Sequence, residues 1–238
     1  MSKKGLIVSA QIANGGNSKS FWCNHIAWYF SQLGYSVLLI DADSIKNAST
    51  QRWYDARKAA GLPIKFDFDQ NPYFQEIVEN RHKYDLTIVD FGGSTQNIGD
   101  QHLLQEQGQL TIIPVISGFG GEEVAKELAA ELKEGGISHR VLVSHFYNNK
   151  DHIELHEYFK GQGNPVFDVI PKLRSRATDA TKIGEAVPEH LLSQNKLAKI
   201  LRKTLDVAGF AETKVMQREQ SGYEVLQILA QIKKELEL

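Results

Sequence analysis

Three observations predict an α/β chain built on a mostly parallel, doubly wound sheet flanked by helices. Short apolar runs recur along the sequence, and the clearest of them, Leu6-Ile-Val8, Val37-Leu-Leu-Ile40 and Leu86-Thr-Ile-Val89, do not alternate with polar residues. That pattern suits strands buried on both faces. Stretches with helical spacing separate the runs, so successive strands are joined by crossovers, which are right-handed and parallel almost without exception. Finally, the second and third runs end in aspartates, and the first leads into a glycine-rich loop. These are carboxyl-end positions, where sheets of this kind bind ligands.

The elements follow in order. After Leu6-Ile-Val8 comes the loop Ser9–Ser20, then a helix from Ser20 to Leu33 carrying Phe21, Ile26, Ala27, Phe30 and Leu33 near helical spacing. Gly34 is its expected stop. The second strand ends at Asp41-Ala-Asp43. A helix over Asn47–Ala60 places Trp53 and Arg57 one turn apart, a short strand is expected over Pro63–Phe68, and a further helix over Pro72–His82. Leu86–Val89 ends at Asp90-Phe-Gly-Gly93, and a helical segment around Gln101–Gln107 precedes a strand at Leu110–Val115. Glu122–Lys133 is amphipathic and stops at Gly135-Gly136; Arg140–Ser144 and Val166–Ile170 complete the strands, with helices at Ser193–Ala208 and Gly222–Leu236. With no repeat and no Pro-, Gly- or Ser-rich linker, the 238 residues are expected to form one domain.

Composition excludes several classes of function. One cysteine, Cys23, leaves no disulfide framework and no cysteine-based metal cluster within a chain. No run reaches the roughly 18 apolar residues of a membrane span. The N-terminus carries no signal-peptide pattern, so a cytoplasmic protein is expected. The net charge of −2 gives no global argument for a polyanionic partner. Residues 172–203, however, hold eight basic residues against Asp179, Glu185 and Glu189, a local balance of +5. A solvated helix face accounts for such charges, and so does sequence-independent DNA binding. His152 and His156 lack the zinc-protease spacing and read as positions on a surface helix. The last helix is apolar on one side, but Glu224, Glu235 and Glu237 offset Lys233 and Lys234. That balance favours core packing or a protein partner over a membrane surface.

The chemistry concentrates in the loop Asn14-Gly-Gly-Asn-Ser-Lys-Ser20. A glycine-rich turn presents backbone N–H groups to phosphates, a lysine reaches the β- and γ-phosphates, and a hydroxyl helps hold Mg²⁺. Gly15 and Gly16 fit the turn, and Lys19 and Ser20 fit the last two roles, while Ser18 stands where glycine is expected. Asn14, Gly15, Gly16, Asn17, Ser18, Lys19, Ser20 and Phe21 are therefore the candidate nucleotide-binding residues. The strand ends add Asp41, Asp43 and Asp90, which completes the inventory for a nucleoside triphosphate with Mg²⁺.

On these residues the chain resembles the ParA/MinD family of P-loop ATPases, whose deviant motif reads Lys-Gly-Gly-x-Gly-Lys-Ser/Thr. Val37–Asp43 is similar to the family's second motif, although it continues Ser44-Ile45 rather than Pro-Gln. Tyr84–Asp90 is similar to the Walker B strand, Leu110–Val115 to the strand that follows, and Arg176–Val187 to a late Arg-…-Ala-…-Gly-x-x-Val segment. The Trp53 and Arg57 pair resembles the short plasmid-type members, and the likeness runs over about residues 5–205. It implies that Lys19 contacts phosphate, Ser20 binds Mg²⁺, Asp43 places the hydrolytic water, and Asp41 and Asp90 support the metal. It also implies a nucleotide-dependent homodimer in which the first lysine of the motif crosses to the partner's phosphates, non-specific DNA binding, and a small adaptor or DNA-bound partner protein. A role in plasmid partition, DNA stability or conjugative transfer follows from the resemblance. The alternatives are a hydrolysis-deficient adaptor and an ATPase that positions another cargo. Asn14 replaces the crossing lysine and supplies no charge, so ATP binding with slow hydrolysis is expected. Lys150, in the loop after the fifth strand, is either a replacement cation for the site or a solvated lysine.

Overall fold

The computed structural model describes residues 4–43, 48–70, 74–92, 102, 105–118, 120–145, 150–173, 182, 184–186, 189 and 220–238. Its centre is a six-stranded sheet, and every pairing in it is parallel. The strands are β1 (Leu6–Ala10), β2 (Val37–Ala42), β3 (Asp67–Gln70), β4 (Leu86–Phe91), β5 (Leu110–Ile116) and β6 (His139–Ser144). Their order across the sheet is β3-β2-β4-β1-β5-β6. The chain passes from β1 over one place to β2 and β3, returns with β4 into the gap beside β1, and continues with β5 and β6 on the other side, which is the doubly wound topology that the sequence predicts.

The apolar runs are buried on both faces, as their composition requires. Val8, Leu39, Ile88 and Ile112 face one core, with the helices α1 (Lys19–Gln32) and α2 (Ser49–Ala59) and the C-terminal helix α6 (Gln220–Glu235). On the other face Ile113, Val115, Val141 and Val143 pack against α4 (Glu122–Glu134) and α5 (Asp151–Gly161). Ile7, Ile40, Val89 and Phe91 pack there against α3 (Phe74–Asn80). Helix α1 exceeds its sequence expectation, since 11 of its 14 residues are buried and no exposed stripe remains. It lies between the sheet and both α2 and α6, so its Trp22, His25 and Trp28 are enclosed as completely as Ile26 and Phe30.

Two strand expectations are corrected. The strand expected at Pro63–Phe68 begins four residues later, at Asp67, and pairs with β2 through Gln70. The strand expected at Val166–Ile170 reduces to two isolated bridges, Val141 with Val166 and His145 with Lys172. Each bridge is complete, with Val141 N donating to Pro165 O and Phe167 N to Val141 O, and with His145 N donating to Pro171 O and Leu173 N to His145 O. One side advances four residues between the bridges and the other six, so the register slips and no continuous ladder forms. The helix expected at Ser193–Ala208 lies outside the described residues.

The apolar side of α6 is in the core: Val225, Ile228, Leu229 and Ile232 are all buried. Its polar positions tie it to the body, with Glu224 accepting from Lys172 N at 2.9 Å and Glu235 paired with Arg140. Among the described residues no helix is long and apolar enough to cross a membrane. On α5, His156 is buried and Nε2 donates to Phe167 O at 2.9 Å, a packing role.

Candidate functional site

Parallel pairing sets Ala10 beside Asp90 and Asp90 beside Asp41, so three strand ends finish level with one another. The loop that leaves β1 turns over these ends into α1. Residues 13–16 are exposed, and Gly16 has φ 82, the left-handed turn that the glycine pair is suited to make. Ser18 is the N-cap of α1 and also lies in the left-handed region, at φ 61 and ψ 23. Its Oγ is buried with no hydrogen-bond partner. The first turn of α1 contains no acidic residue, so no carboxylate of the helix itself offsets the positive end of its dipole. Lys19 bends back over the loop, where Nζ donates to Ile12 O at 3.0 Å and Asn14 O at 3.1 Å. Burial lowers its pKa, and Asp90 and Asp43 oppose the shift, which places both carboxylates within electrostatic reach of the ammonium.

The three aspartates have different surroundings. Asp41 is fully buried, and both of its oxygens are engaged: Oδ1 accepts from Asp43 N at 3.1 Å and Oδ2 from Gln51 N at 2.8 Å, at the first turn of α2. Burial raises its pKa in spite of those N–H groups. Asp90 is pushed up to about 7, first by burial and then by the charge of Asp41, against hydrogen bonds from Ser20 and Thr50. Thr50 Oγ1 donates to Asp90 Oδ2 at 2.7 Å, while Oδ1 is buried without a hydrogen bond of ordinary geometry. Asp43 is partly exposed and lies against Gly92, where a Cβ would collide with its carboxylate; glycine is required there for the ends of β2 and β4 to approach.

The residues present fit a nucleotide phosphate with a divalent cation. A buried carboxylate oxygen without a donor, next to a hydroxyl, is what a cation would satisfy, and a cation would also lower the raised pKa of Asp90. Among the described residues no three His, Cys, Asp or Glu side chains form a metal cage by themselves. Mg²⁺ does not need one, since it takes one or two carboxylates together with substrate phosphates and water.

The structure thus brings Lys19, Ser20, Asp41, Asp43 and Asp90 to one place. The asparagines of the loop face a second turn. Asn14 Nδ2 donates to Gly120 O at 3.1 Å, and Asn17, itself buried, accepts from Ile116 N at 3.1 Å. Phe21 stacks on His25, with ring centroids 4.0 Å apart. Lys150 is exposed at the N-terminus of α5, and among the described residues it makes no hydrogen bond to the loop. Most of the basic stretch 172–203 lies outside the described residues, but two of its three carboxylates do not. Glu185 and Glu189 are buried, and Glu189 forms a bidentate pair with Arg57 at 2.5 and 3.0 Å.

Sequence reasoning missed Thr50, Glu189 and the contacts that the loop asparagines make with Ile116 and Gly120. A threonine at a helix start is an ordinary cap residue, and nothing local distinguishes one that reaches a carboxylate 40 positions away.

A glycine-rich loop leading into a helix N-terminus, with in-register carboxylates beside it on a doubly wound sheet, defines a P-loop nucleotide-binding protein. The chain belongs to the CobQ/CobB/MinD/ParA nucleotide binding domain family, whose model matches residues 8–236. Among solved structures, it is similar to MinD in a MinC:MinD cell division complex from Aquifex aeolicus, with TM-score 0.66, 12% identity and 96% of each chain covered. MinD from Pyrococcus horikoshii, complexed with Mg-ADP, gives TM-score 0.66 at 11% identity, again over 96% of each chain. A putative plasmid partition protein from Borrelia burgdorferi bound to AMPPNP gives TM-score 0.58 at 19% identity, covering 83% of this chain and 99% of that one. At such identities the likeness is one of fold. No curated protein matches the sequence closely enough to count as a relative.

Proposed function

We propose that this protein is a ParA-like, nucleotide-dependent switch that binds ATP with Mg²⁺ and hydrolyses it slowly. The observation that carries the reading is the convergence of Lys19 and the N-terminus of α1 with Asp41, Asp43 and Asp90 at adjacent strand ends. In this reading the loop N–H groups and Lys19 hold the β- and γ-phosphates. Ser20 and Asp90 hold the metal, Asp41 fixes the start of α2 beside it, and Asp43 orients the attacking water. The metal, when bound, neutralises charge that develops on the phosphates.

Slow hydrolysis follows from the loop. Asn14 brings no charge to the transferring phosphate and is held within its own chain by Gly120 O, whereas a well-placed cation contributes about 10³–10⁵ in other NTPases. Ser18 adds a side chain where the backbone must approach phosphate. These departures favour, as a second reading, an adaptor that binds nucleotide and does not turn it over. Nucleotide-dependent homodimerisation, a small protein partner and a single-domain organisation are part of the same proposal. Binding of DNA through residues 172–203 is supported by the burial of Glu185 and Glu189, since the carboxylates that offset the basic charge are turned inward. A role in plasmid partition or transfer rests on the family and on the resemblance to a plasmid partition protein. ATP affinity, ATP turnover and salt-dependent DNA binding, measured on one purified sample, test the proposal. Tight binding with slow turnover and a steep salt dependence supports the switch; binding with neither turnover nor DNA affinity supports the adaptor; rapid turnover by the isolated protein contradicts both.

A further inference from the structure

Helix α2 touches the candidate site at one end and Gly184, Glu185 and Glu189 at the other, and both attachments are buried. At its start, Thr50 is fully buried and donates to Asp90, and Gln51 N donates to Asp41. In its last turn, Arg57 is fully buried and spends its guanidinium on Glu189, Gly184 O and Pro63 O. Trp53, between them, donates Nε1 to Glu185 O at 3.3 Å. Gly184 has φ 75, and a Cβ there would run into the Arg57 backbone, so Gly184 is seated directly on the helix. The 11 residues of α2 span about 16 Å. A rigid element fixed by hydrogen-bonded charges at both ends transmits a displacement rather than absorbing it.

We infer that Thr50 is a positioning residue for Asp90 and that, through it, α2 carries the state of the metal–phosphate site to Gly184, Glu185 and Glu189. The inference rests on the reading that the site takes a Mg²⁺–nucleotide. The Thr50 hydroxyl fixes which Asp90 oxygen is engaged and leaves Oδ1 for a cation. Hydroxyl and amide partners of metal-binding carboxylates typically matter by 10–100-fold in metal affinity. When a cation draws on Asp90, the hydrogen bond from Thr50 is the contact of α2 with that carboxylate, and it must readjust.

The test uses the full chain with AMPPNP, titrated at varied MgCl₂ and again in EDTA. Saturable binding by the wild type is required by the underlying reading, and its absence overturns that reading and the inference with it. Thr50→Val, which keeps the shape and removes the hydroxyl, is expected to raise the Mg²⁺ concentration for half-maximal binding at least tenfold while affinity in EDTA is unchanged. Thr50→Ser is expected to restore the wild-type Mg²⁺ requirement. Trypsin cleavage after Lys182, which is exposed two residues before Gly184, is expected to change rate on addition of Mg²⁺ and AMPPNP in the wild type, and to respond less in Thr50→Val even at saturation. Equal weakening with and without metal assigns Thr50 to the fold alone and overturns the inference. An unchanged Mg²⁺ requirement, or cleavage indifferent to nucleotide in the wild type, overturns it too.

Discussion

Ser18→Gly is the substitution whose outcome the geometry of the loop specifies most fully. A side chain in the left-handed region costs roughly 1–2 kcal/mol, and Ser18 lies there at φ 61. Its buried hydroxyl has no partner, which adds about 1 kcal/mol or more. Glycine removes both costs and loses about 0.5–1 kcal/mol to the greater freedom of its unfolded chain. The net gain is about 1–2 kcal/mol, or roughly 2–8 °C in Tm for a chain of this size. Thermal unfolding followed by circular dichroism measures it, with Ser18→Ala as the control that removes the hydroxyl and keeps the Cβ. The alanine variant should gain less than the glycine variant, and glycine should also bind ATP at least as tightly as the wild type, because it opens the phosphate cradle. A lower Tm for Ser18→Gly, or equal gains for the two variants, refutes the strain argument. Loss of ATP affinity in Ser18→Gly would show that the hydroxyl serves the ligand.

Further predictions concern buried charge. Glu189→Gln leaves Arg57 charged and fully buried without its carboxylate, and should cost about 3–5 kcal/mol in denaturant unfolding; a loss below 1 kcal/mol would show that the pair is not a clamp. His25 is enclosed and its pKa falls to about 4, chiefly through burial. Its folded state therefore binds fewer protons than the unfolded chain between pH 6.5 and 4. Its contribution is present above the unfolded value and is lost as pH falls through that window, by about 3 kcal/mol. A replacement such as His25→Leu should flatten that acid limb in a pH series of melts. Asp90, at about 7, must lose its proton to hold a cation, so Mg²⁺-dependent ATP affinity should fall by roughly tenfold per pH unit below 7; a flat profile between pH 5 and 8 would remove Asp90 from the metal site. Asn14→Lys, which restores charge at the first position of the motif, should raise ATP turnover at least tenfold, and unchanged turnover would mean that the missing cation is not what limits hydrolysis.

The strands and the carboxylates at their ends were legible because each rests on a local pattern. Leu86–Val89 has to be buried on both faces, and Asp90 follows it directly. Parallel winding then carries Asp41 and Asp90 into register without any knowledge of contacts. Val166–Ile170 misleads because its apolar composition suits a strand, while its two bridges lie six residues apart against four on the partner, a slip in register that composition does not show. The long-range side-chain contacts were not legible. Thr50 with Asp90, Asn14 with Gly120 and Arg57 with Glu189 join positions 40, 106 and 132 apart, and each depends on a side-chain direction that no spacing encodes. Trp53 and Arg57 could be singled out as a pair one turn apart, but not as the surface on which Gly184 and Glu185 sit. Glu189 illustrates the consequence: counted as part of a charged stretch, it dilutes the basic balance, whereas in the fold it is turned inward.

Equilibrium titration of ATP in the presence of Mg²⁺, on the wild type and on Lys19→Ala, tests the central claim most directly. Saturable binding that weakens at least tenfold in Lys19→Ala, with thermal stability retained, is the predicted result. Absence of saturable binding in the wild type, or equal affinity in the two proteins, would contradict a nucleotide site built on the loop from Asn14 to Ser20.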